Sequence, residues 1–430
     1  MFSDEFVQTL PREALEQIQL RKFQVLLAKV LESNAFYKSK LNEVGITSAS
    51  DVETLADYRK LPFTLKSELA ADQLDNPPYG TNMTFPRVRY TKIHQTSGTT
   101  GLPLQWLDTD EDWDWWSRCW ATIYTAAGVN ADDRVFFAFS FGPFIVFWSA
   151  HSGAQYVGAQ AIPGGGMSSL QRLRAILMHE VTVLICTPTY ALHLAEVASE
   201  EGLDIRGSSV RIAIHAGEPG ASLPSTRKRI EEAWGVKCFD HAGATEVGAW
   251  GFECDGYPGM YLNEGEFLFE VVDPETGKQV NEGELVISNL GRIGMPVIRY
   301  RTGDHVKLNP HPKAGAITYR NLLGGVIGRV DDVLVVRGIN VYPSAIENII
   351  RRVPWVGEFA VDIFRRHELD CMDIRIELSA DDDAEAISKI LATEIRNALE
   401  LRADVIVVPF GTLPRFDLKN KRFTDHRPPQ

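Results

Sequence analysis

Apolar positions three and four apart open the chain. Leu15, Ile18, Phe23, Leu26, Leu27, Val30 and Leu31 form one stripe, which predicts helix within residues 10–45. A second helix is predicted over 110–128, opened by acidic residues and closed by Gly128. From there short apolar runs and helical patterns alternate. The strand-like runs are RVFFAFSF, AQAIP, VTVLIC, VRIAIHAG (210–217) and KCFDHAG, and helices are predicted at 145–158, 168–180, 189–202 and 222–234. Strands alternating with helices of this length indicate βαβ units and a mostly parallel sheet.

From residue 252 the texture changes. EFLFEVVDPETGKQVNEGELVISNL has strands between Pro, Gly and Asn turn clusters with no helical period, the mark of antiparallel pairing. A second break follows GGVIGRVDD (324–332), after which the pattern reads strand, helix, strand, strand, helix, strand. The expected fold is α/β. A large N-terminal domain (1–329) would hold βαβ sheets plus a small barrel-like antiparallel part, and a small α+β C-terminal domain would span 330–430.

Composition narrows the function classes. The formal charge is −13, from 57 acidic and 44 basic residues, which disfavours a nucleic-acid or anionic-membrane surface. One local cationic site can still hold a small anion. The five cysteines are widely spaced without a C-x-x-C, so reduced thiols are expected rather than a disulfide framework or a zinc finger. The N-terminus is acidic and amphipathic with no apolar core of a signal peptide, and the most apolar run (135–150) is broken by Gly142 and Pro143. A soluble cytoplasmic protein is expected, with no membrane or nucleic-acid partner.

Against that background a few polar stretches stand out. QTSGTTGLP (Gln95–Pro103) sets small and hydroxyl residues together, so that successive backbone N–H groups can converge on an anion; an ordinary strand-connecting turn has the same composition. It is not the G-x-x-x-x-G-K-[ST] loop, since Pro103 stands five residues after Gly98 and no lysine follows. HAGATEVG places Thr245 and Glu246 at a strand end, suited to Mg²⁺ near a phosphate or to capping a helix. RYRTGD puts Asp304 after a Thr-Gly turn, either a ribose-hydroxyl acceptor or a plain hairpin. Arg329 precedes the composition break, Gly338 follows it, and Lys419 and Lys421 lie in LPRFDLKNKRF. G-x-S-x-G and H-E-x-x-H are absent, which leaves serine or zinc hydrolysis without support.

The order of these stretches is more specific than any one of them. TSGTTG, HAGEP, ATE, YRTGD, GRVDD…RGINVYPSAIE and LPRFDLK resemble the adenylate-forming acyl-CoA synthetase superfamily. PGGG, CTPTYAL, ECDGYPGMYLNEGEFLFEVVDPETG and MPVIRYRTGD are similar to its phenylacetate-CoA ligase branch, and the resemblance runs from about residue 20 to 425. It implies ATP- and Mg²⁺-dependent conversion of a carboxylic acid to acyl-AMP, transfer to CoA, and a C-terminal domain that rotates between the two steps.

By that resemblance Thr96, Ser97, Gly98, Thr99, Thr100 and Gly101 would cradle pyrophosphate, Glu246 would bind Mg²⁺ and Thr245 the α-phosphate. Asp304 would hold the ribose, helped by Arg329, while Gly217, Glu218 and Pro219 border adenine. Asp331 matches the hinge, Gly338 would let pantetheine pass, and Lys419, with Lys421 as the alternate, would be the catalytic lysine. The chain departs from the family at Leu102, where lysine is usual, and at Ala242, where a tyrosine commonly stacks on adenine. The acid pocket is expected from Phe139, Ser140, Phe141 and Gly142, from His215, Ala216 and Gly217, and from Ala242 and Gly243, a lining suited to a flat aromatic ring such as a hydroxy- or aminobenzoate.

Two alternatives to an aryl-CoA ligase remain at this point. One is an adenylating enzyme with another acceptor, a carrier-protein thiol or a deazaflavin. The other is an inactive nucleotide-binding protein, which the presence of Glu246, Asp304 and Lys419 opposes. A homodimer is expected by analogy with the branch.

Overall fold

The computed structural model describes residues 7–96, 103–218, 220–311, 317–330, 334–336, 339–353, 355–366, 369–378, 383–399, 401–414 and 422–427. The N-terminal stripe becomes two helices, α1 (Arg12–Ser33) and α2 (Ala35–Asn42). Asn34 makes the break: its side chain accepts from the backbone N–H of Tyr37 at 3.1 Å, and this cap starts a new helix rather than extending the first. The short α3 (Leu55–Tyr58) and α4 (Lys66–Asp75) follow, then a hairpin of β1 (Tyr90–Gln95) and β2 (Gln105–Thr109).

The helix α5 (Asp110–Ala126) starts at a reciprocal cap. Thr109 Oγ1 accepts from Asp112 N–H at 3.2 Å, and the Asp112 carboxylate accepts from Thr109 N–H at 3.0 Å. The alternating region then gives β3 (Arg134–Phe137), α6 (Ile145–Tyr156), β4 (Gln160–Pro163), α7 (Ser169–Met178), β5 (Val183–Cys186), α8 (Pro188–Glu200), β6 (Ile212–His215), α9 (Pro224–Trp234) and β7 (Lys237–Ala244). The strand expected through Phe141 stops at Phe137, and the chain leaves the sheet over the next few residues. The antiparallel strands are β8 (Gly248–Cys254), β9 (Tyr257–Leu262), β10 (Phe267–Val272), β11 (Glu282–Asn289), β12 (Tyr300–Leu308) and β13 (Asn321–Arg329).

All but the first hairpin belong to one mixed sheet of eleven strands, ordered β10-β11-β12-β13-β9-β8-β7-β6-β5-β3-β4. The antiparallel part continues the parallel half edge to edge through β7 and β8. From β3 the chain crosses outward to the edge strand β4, then returns past β3 to β5, β6 and β7. Right-handed crossovers therefore put α6 on one face and α7, α8 and α9 on the other. α5 joins α6, with Trp120 Nε1 donating to Ser149 Oγ at 2.9 Å. The direction of winding reverses between β3 and β5, and the carboxyl ends of these strands open the crevice where ligands of such sheets bind.

The C-terminal unit holds β14 (Leu334–Val336), β15 (Ile339–Val341), α10 (Pro343–Arg351), β16 (Val356–Arg366), β17 (Leu369–Leu378), α11 (Ala384–Leu399), β18 (Asp404–Val408) and β19 (Phe423–Asp425). Its sheet runs β18-β17-β16-β19 and its core is separate, with Ile346, Ile350, Phe359, Ile374 and Leu391 buried together. β19 was not apparent in the sequence, where 413–423 reads as a basic tail. It lies parallel to β16, with Val361 N–H donating to Arg422 O at 2.7 Å. None of the five cysteines is in a disulfide. No helix among the described residues is long and apolar enough to cross a membrane.

Candidate functional site

The β1–β2 hairpin holds the glycine- and threonine-rich loop at its tip. Thr96 closes the stem: its N–H donates to Leu104 O and its Oγ1 accepts from Leu104 N–H, both at 3.0 Å. Gln95 N–H donates to Pro143 O at 2.9 Å, which ties the stem to the segment that follows β3. Ser97, Gly98, Thr99, Thr100, Gly101 and Leu102 lie outside the described residues.

Thr245 and Glu246 form the turn between β7 and β8, not a helix start. Their carbonyls accept from Arg292 Nη1 at 2.7 and 3.4 Å. Arg292 is fully buried, lies over the rings of Trp106 and Trp116, and grips Asp108 with two hydrogen bonds at 2.7 and 2.9 Å. A paired, hydrogen-bonded guanidinium is what makes such burial tolerable, and it fixes the turn to β2.

The Glu246 carboxylate faces two groups that sequence reading did not single out. Lys66 Nζ lies 3.1 Å from its Oε1, and the Tyr300 hydroxyl donates to the same oxygen at 3.4 Å. Lys66 is the first residue of α4, where a cation opposes the helix dipole. That misfit is the one signal by which the lysine was open to detection. Burial, and then Glu246, push the Tyr300 phenol well above its usual range, so it stays a donor. Among the described residues no group of three His, Cys, Asp or Glu could hold a metal ion. A single buried carboxylate fits Mg²⁺ only where the ion keeps waters and phosphate oxygens as its other ligands.

Asp304 and Arg329 meet across the β12–β13 pair, where they are register partners. Arg329 Nη1 lies 3.4 Å from Asp304 Oδ1 and donates to Thr302 O at 3.0 Å. The approach needs Gly303, whose φ is +76° and where a Cβ would come within 2.5 Å of the guanidinium. Tyr300, on the same strand, senses the charges of Glu246, Arg329 and Asp304. The carboxylate expected at the phosphates and the one expected at the ribose thus flank one phenol.

On the opposite rim Gly217 has φ +95°, and Glu218 turns back onto the start of α8. Its carboxylate accepts from Thr189 N–H at 2.9 Å and from the Thr189 hydroxyl. Burial raises its proton affinity, and the nearby Arg422 of the C-terminal unit opposes that shift. Pro219, Asp331, Gly338, Lys419 and Lys421 lie outside the described residues. The two units touch through α9 and α10: Ser225 Oγ donates to Asn348 Oδ1 at 3.0 Å, and Arg229 Nη1 to Val356 O at 3.0 Å.

The expected acid pocket divides. Ser140 is exposed, and Phe141 and Gly142 are half-buried. The Phe141 ring lies 4.8 Å from Trp148 and 6.1 Å from His151, both on α6. Ala216 and Ala242 are buried, while Gly243 is exposed on β7. His215 is not brought to the α6 face. It is the register partner of Asp240, which shares the far face with Arg227 of α9. Side chains alternate along a strand, so the next residue, His241, points the other way and meets Trp120 of α5 at 4.4 Å. His241 is therefore the histidine on the Trp120 side of the sheet.

Residues 17–292 match the AMP-binding enzyme family and residues 338–427 the AMP-binding enzyme C-terminal domain. The chain is 30% identical over 434 residues to a phenylacetate-coenzyme A ligase of Pseudomonas putida, covering 98% of this chain and 96% of that one. It is also 30% identical over 435 residues to that of Escherichia coli strain K12, covering 98% and 97%. Among solved structures, 2-hydroxyisobutyryl-CoA ligase in the postadenylation state with 2-HIB-AMP matches at TM-score 0.92 and 28% identity, over 97% of this chain and 91% of that one. The same ligase with 2-HIB-AMP and CoA in the thioesterification state matches at 0.74 and 29%, over 98% and 91%.

Proposed function

The chain belongs to the AMP-binding enzyme family, on its phenylacetate-CoA ligase branch, and from that membership we propose that the acid it activates is aromatic. It is an AMP-forming acid–thiol ligase that uses ATP and CoA, with Mg²⁺ as the usual metal. A carboxylate oxygen of the acid attacks the α-phosphorus of ATP, and the bond to pyrophosphate breaks. The CoA thiolate then attacks the acyl carbon, and AMP leaves with the electrons of the carbon–oxygen bond.

Each residue takes a role in this reading. Thr96 and the loop of Ser97, Gly98, Thr99, Thr100 and Gly101 hold the departing pyrophosphate through backbone and hydroxyl donors. Mg²⁺, when bound at Glu246, supplies further neutralisation of phosphate charge. Lys66, already beside that carboxylate, provides the cation that Leu102 does not. Thr245 contacts the α-phosphate, Asp304 accepts from the ribose hydroxyls with Arg329 holding it, and Gly217, Glu218 and Pro219 border adenine. Lys419 offsets charge on the α-phosphate from the C-terminal unit, which turns about Asp331 near the 329/330 boundary so that CoA passes Gly338.

The observation that carries the aromatic reading is the ring wall of Phe141, Trp148 and His151 at the carboxyl end of β3, beside the reversal in winding. The names of the curated relatives point to an arylacetate. The test is pyrophosphate release over matched panels of benzoates, arylacetates and short aliphatic acids, with and without CoA. Aromatic acids should release pyrophosphate and, with CoA, form thioester; turnover confined to aliphatic acids would overturn the reading. CoA rather than a carrier protein is the acceptor in this proposal, and a homodimer is its assembly, which sedimentation reads directly.

A further inference from the structure

His241 lies inside β7, on the Trp120 side of the sheet. Its ring packs 4.4 Å from that of Trp120, and its Nδ1 lies 2.8 Å from Gly251 O on the neighbouring strand β8. A carbonyl oxygen can only accept, so Nδ1 carries the proton and donates. Nε2 is then left with a lone pair. No described residue donates to it, and it is directed toward Gly243, where an added Cβ would come within 3.1 Å. Gly243 is exposed, so this lone pair looks out past a missing side chain rather than into the core.

We propose that His241 Nε2 is a specificity-determining acceptor, and that this enzyme selects acids carrying a hydroxyl or amino donor. The inference rests on the acid occupying the Trp120–Phe141 side of the sheet. It refines the ring acid of the preceding section to a hydroxy- or amino-substituted one. The ring has the state the role requires: burial holds its pKa at about 4, so it is neutral at physiological pH and accepts. His215 is no competitor, because its Nδ1 meets Cys186 O at 3.1 Å and its Nε2 is sealed on the opposite face. An acid that covers Nε2 without offering a donor strips the atom of water and leaves it unpaired, so such an acid is rejected by more than the bond it forgoes.

The test compares kcat/KM for pyrophosphate release with hydroxy-, amino-, fluoro- and unsubstituted acids on the unaltered enzyme, over the ring positions, and repeats it with His241→Phe. Fluorine matches hydroxyl in size without its donor, so this arm is independent of any variant's folding. The proposal expects one hydroxy or amino isomer to exceed its fluoro analogue by about tenfold or more. His241→Phe should erase that ratio while leaving the unsubstituted acid within about threefold. Equal use of hydroxy and fluoro acids by the unaltered enzyme, or a preference that survives His241→Phe, would overturn it. If only aliphatic hydroxy acids react, and their advantage over deoxy analogues depends on His241, the aromatic reading falls and this inference stands.

Discussion

A lysine at the first position of a helix works against the helix dipole, and Lys66 sits there with its amine 3.1 Å from Glu246. The position makes sense if the amine faces phosphate. Charge-assisted contacts to a phosphate contribute about 1.5–3 kcal/mol, so Lys66→Met should raise the KM for ATP roughly 10- to 100-fold and leave the KM for the acid nearly unchanged. Steady-state kinetics with each substrate varied separately reads this; equal changes in both constants would mean that Lys66 only braces the site. Single residues were the least legible level of the sequence. Glu246, Asp304 and Arg329 were visible because their motifs follow one another in order, and the structure sets them around Tyr300. Lys66 was not, because its partner is 180 residues away and only folding brings them together. His215 and His241 show a different limit. His215 ends β6 and His241 lies inside β7, and which of them faces Trp120 depends on side-chain parity, which a strand-end reading does not resolve.

At the scale of elements the sequence was more readable. The alternating apolar runs and helices appear in order and nearly in register, because helix period and strand period differ enough to be told apart. Boundaries moved where local chemistry intervened, as at the Asn34 cap. β19 was missed because three residues beside a basic stretch carry no period, and only pairing with β16 makes them a strand. The α9–α10 contact was equally invisible, since neither helix surface declares a partner. There Arg229 is mostly buried, and burial, followed by the nearby Arg351 charge, pushes its guanidinium down to about 10. Its bond to Val356 O belongs to the arrangement of units seen here. Arg229→Ala should therefore slow acyl-AMP formation severalfold while leaving thioester formation from supplied acyl-AMP and CoA unchanged. Loss of both half-reactions together would show that Arg229 serves folding alone.

At the scale of the whole molecule, the chain folds into two bodies with separate cores. The larger carries the β1–β2 hairpin, Glu246, Asp304 and the ring wall; the smaller brings Arg422 near Glu218. The change in texture near residue 330 announced this division, since a chain must finish one core before it starts another. Sequence did not reveal that the antiparallel strands extend the parallel sheet, because strand adjacency is set by long-range pairing. The arrangement of the two units matches the postadenylation-state relative at TM-score 0.92 and the thioesterification-state one at 0.74. The most direct measurement is exchange of labelled pyrophosphate into ATP, with an aromatic acid and without CoA. The account predicts acid-dependent exchange that falls at least about a hundredfold in Glu246→Gln, as expected when charge stabilisation of a transition state is removed. Exchange that needs CoA, or that persists undiminished in Glu246→Gln, would contradict it.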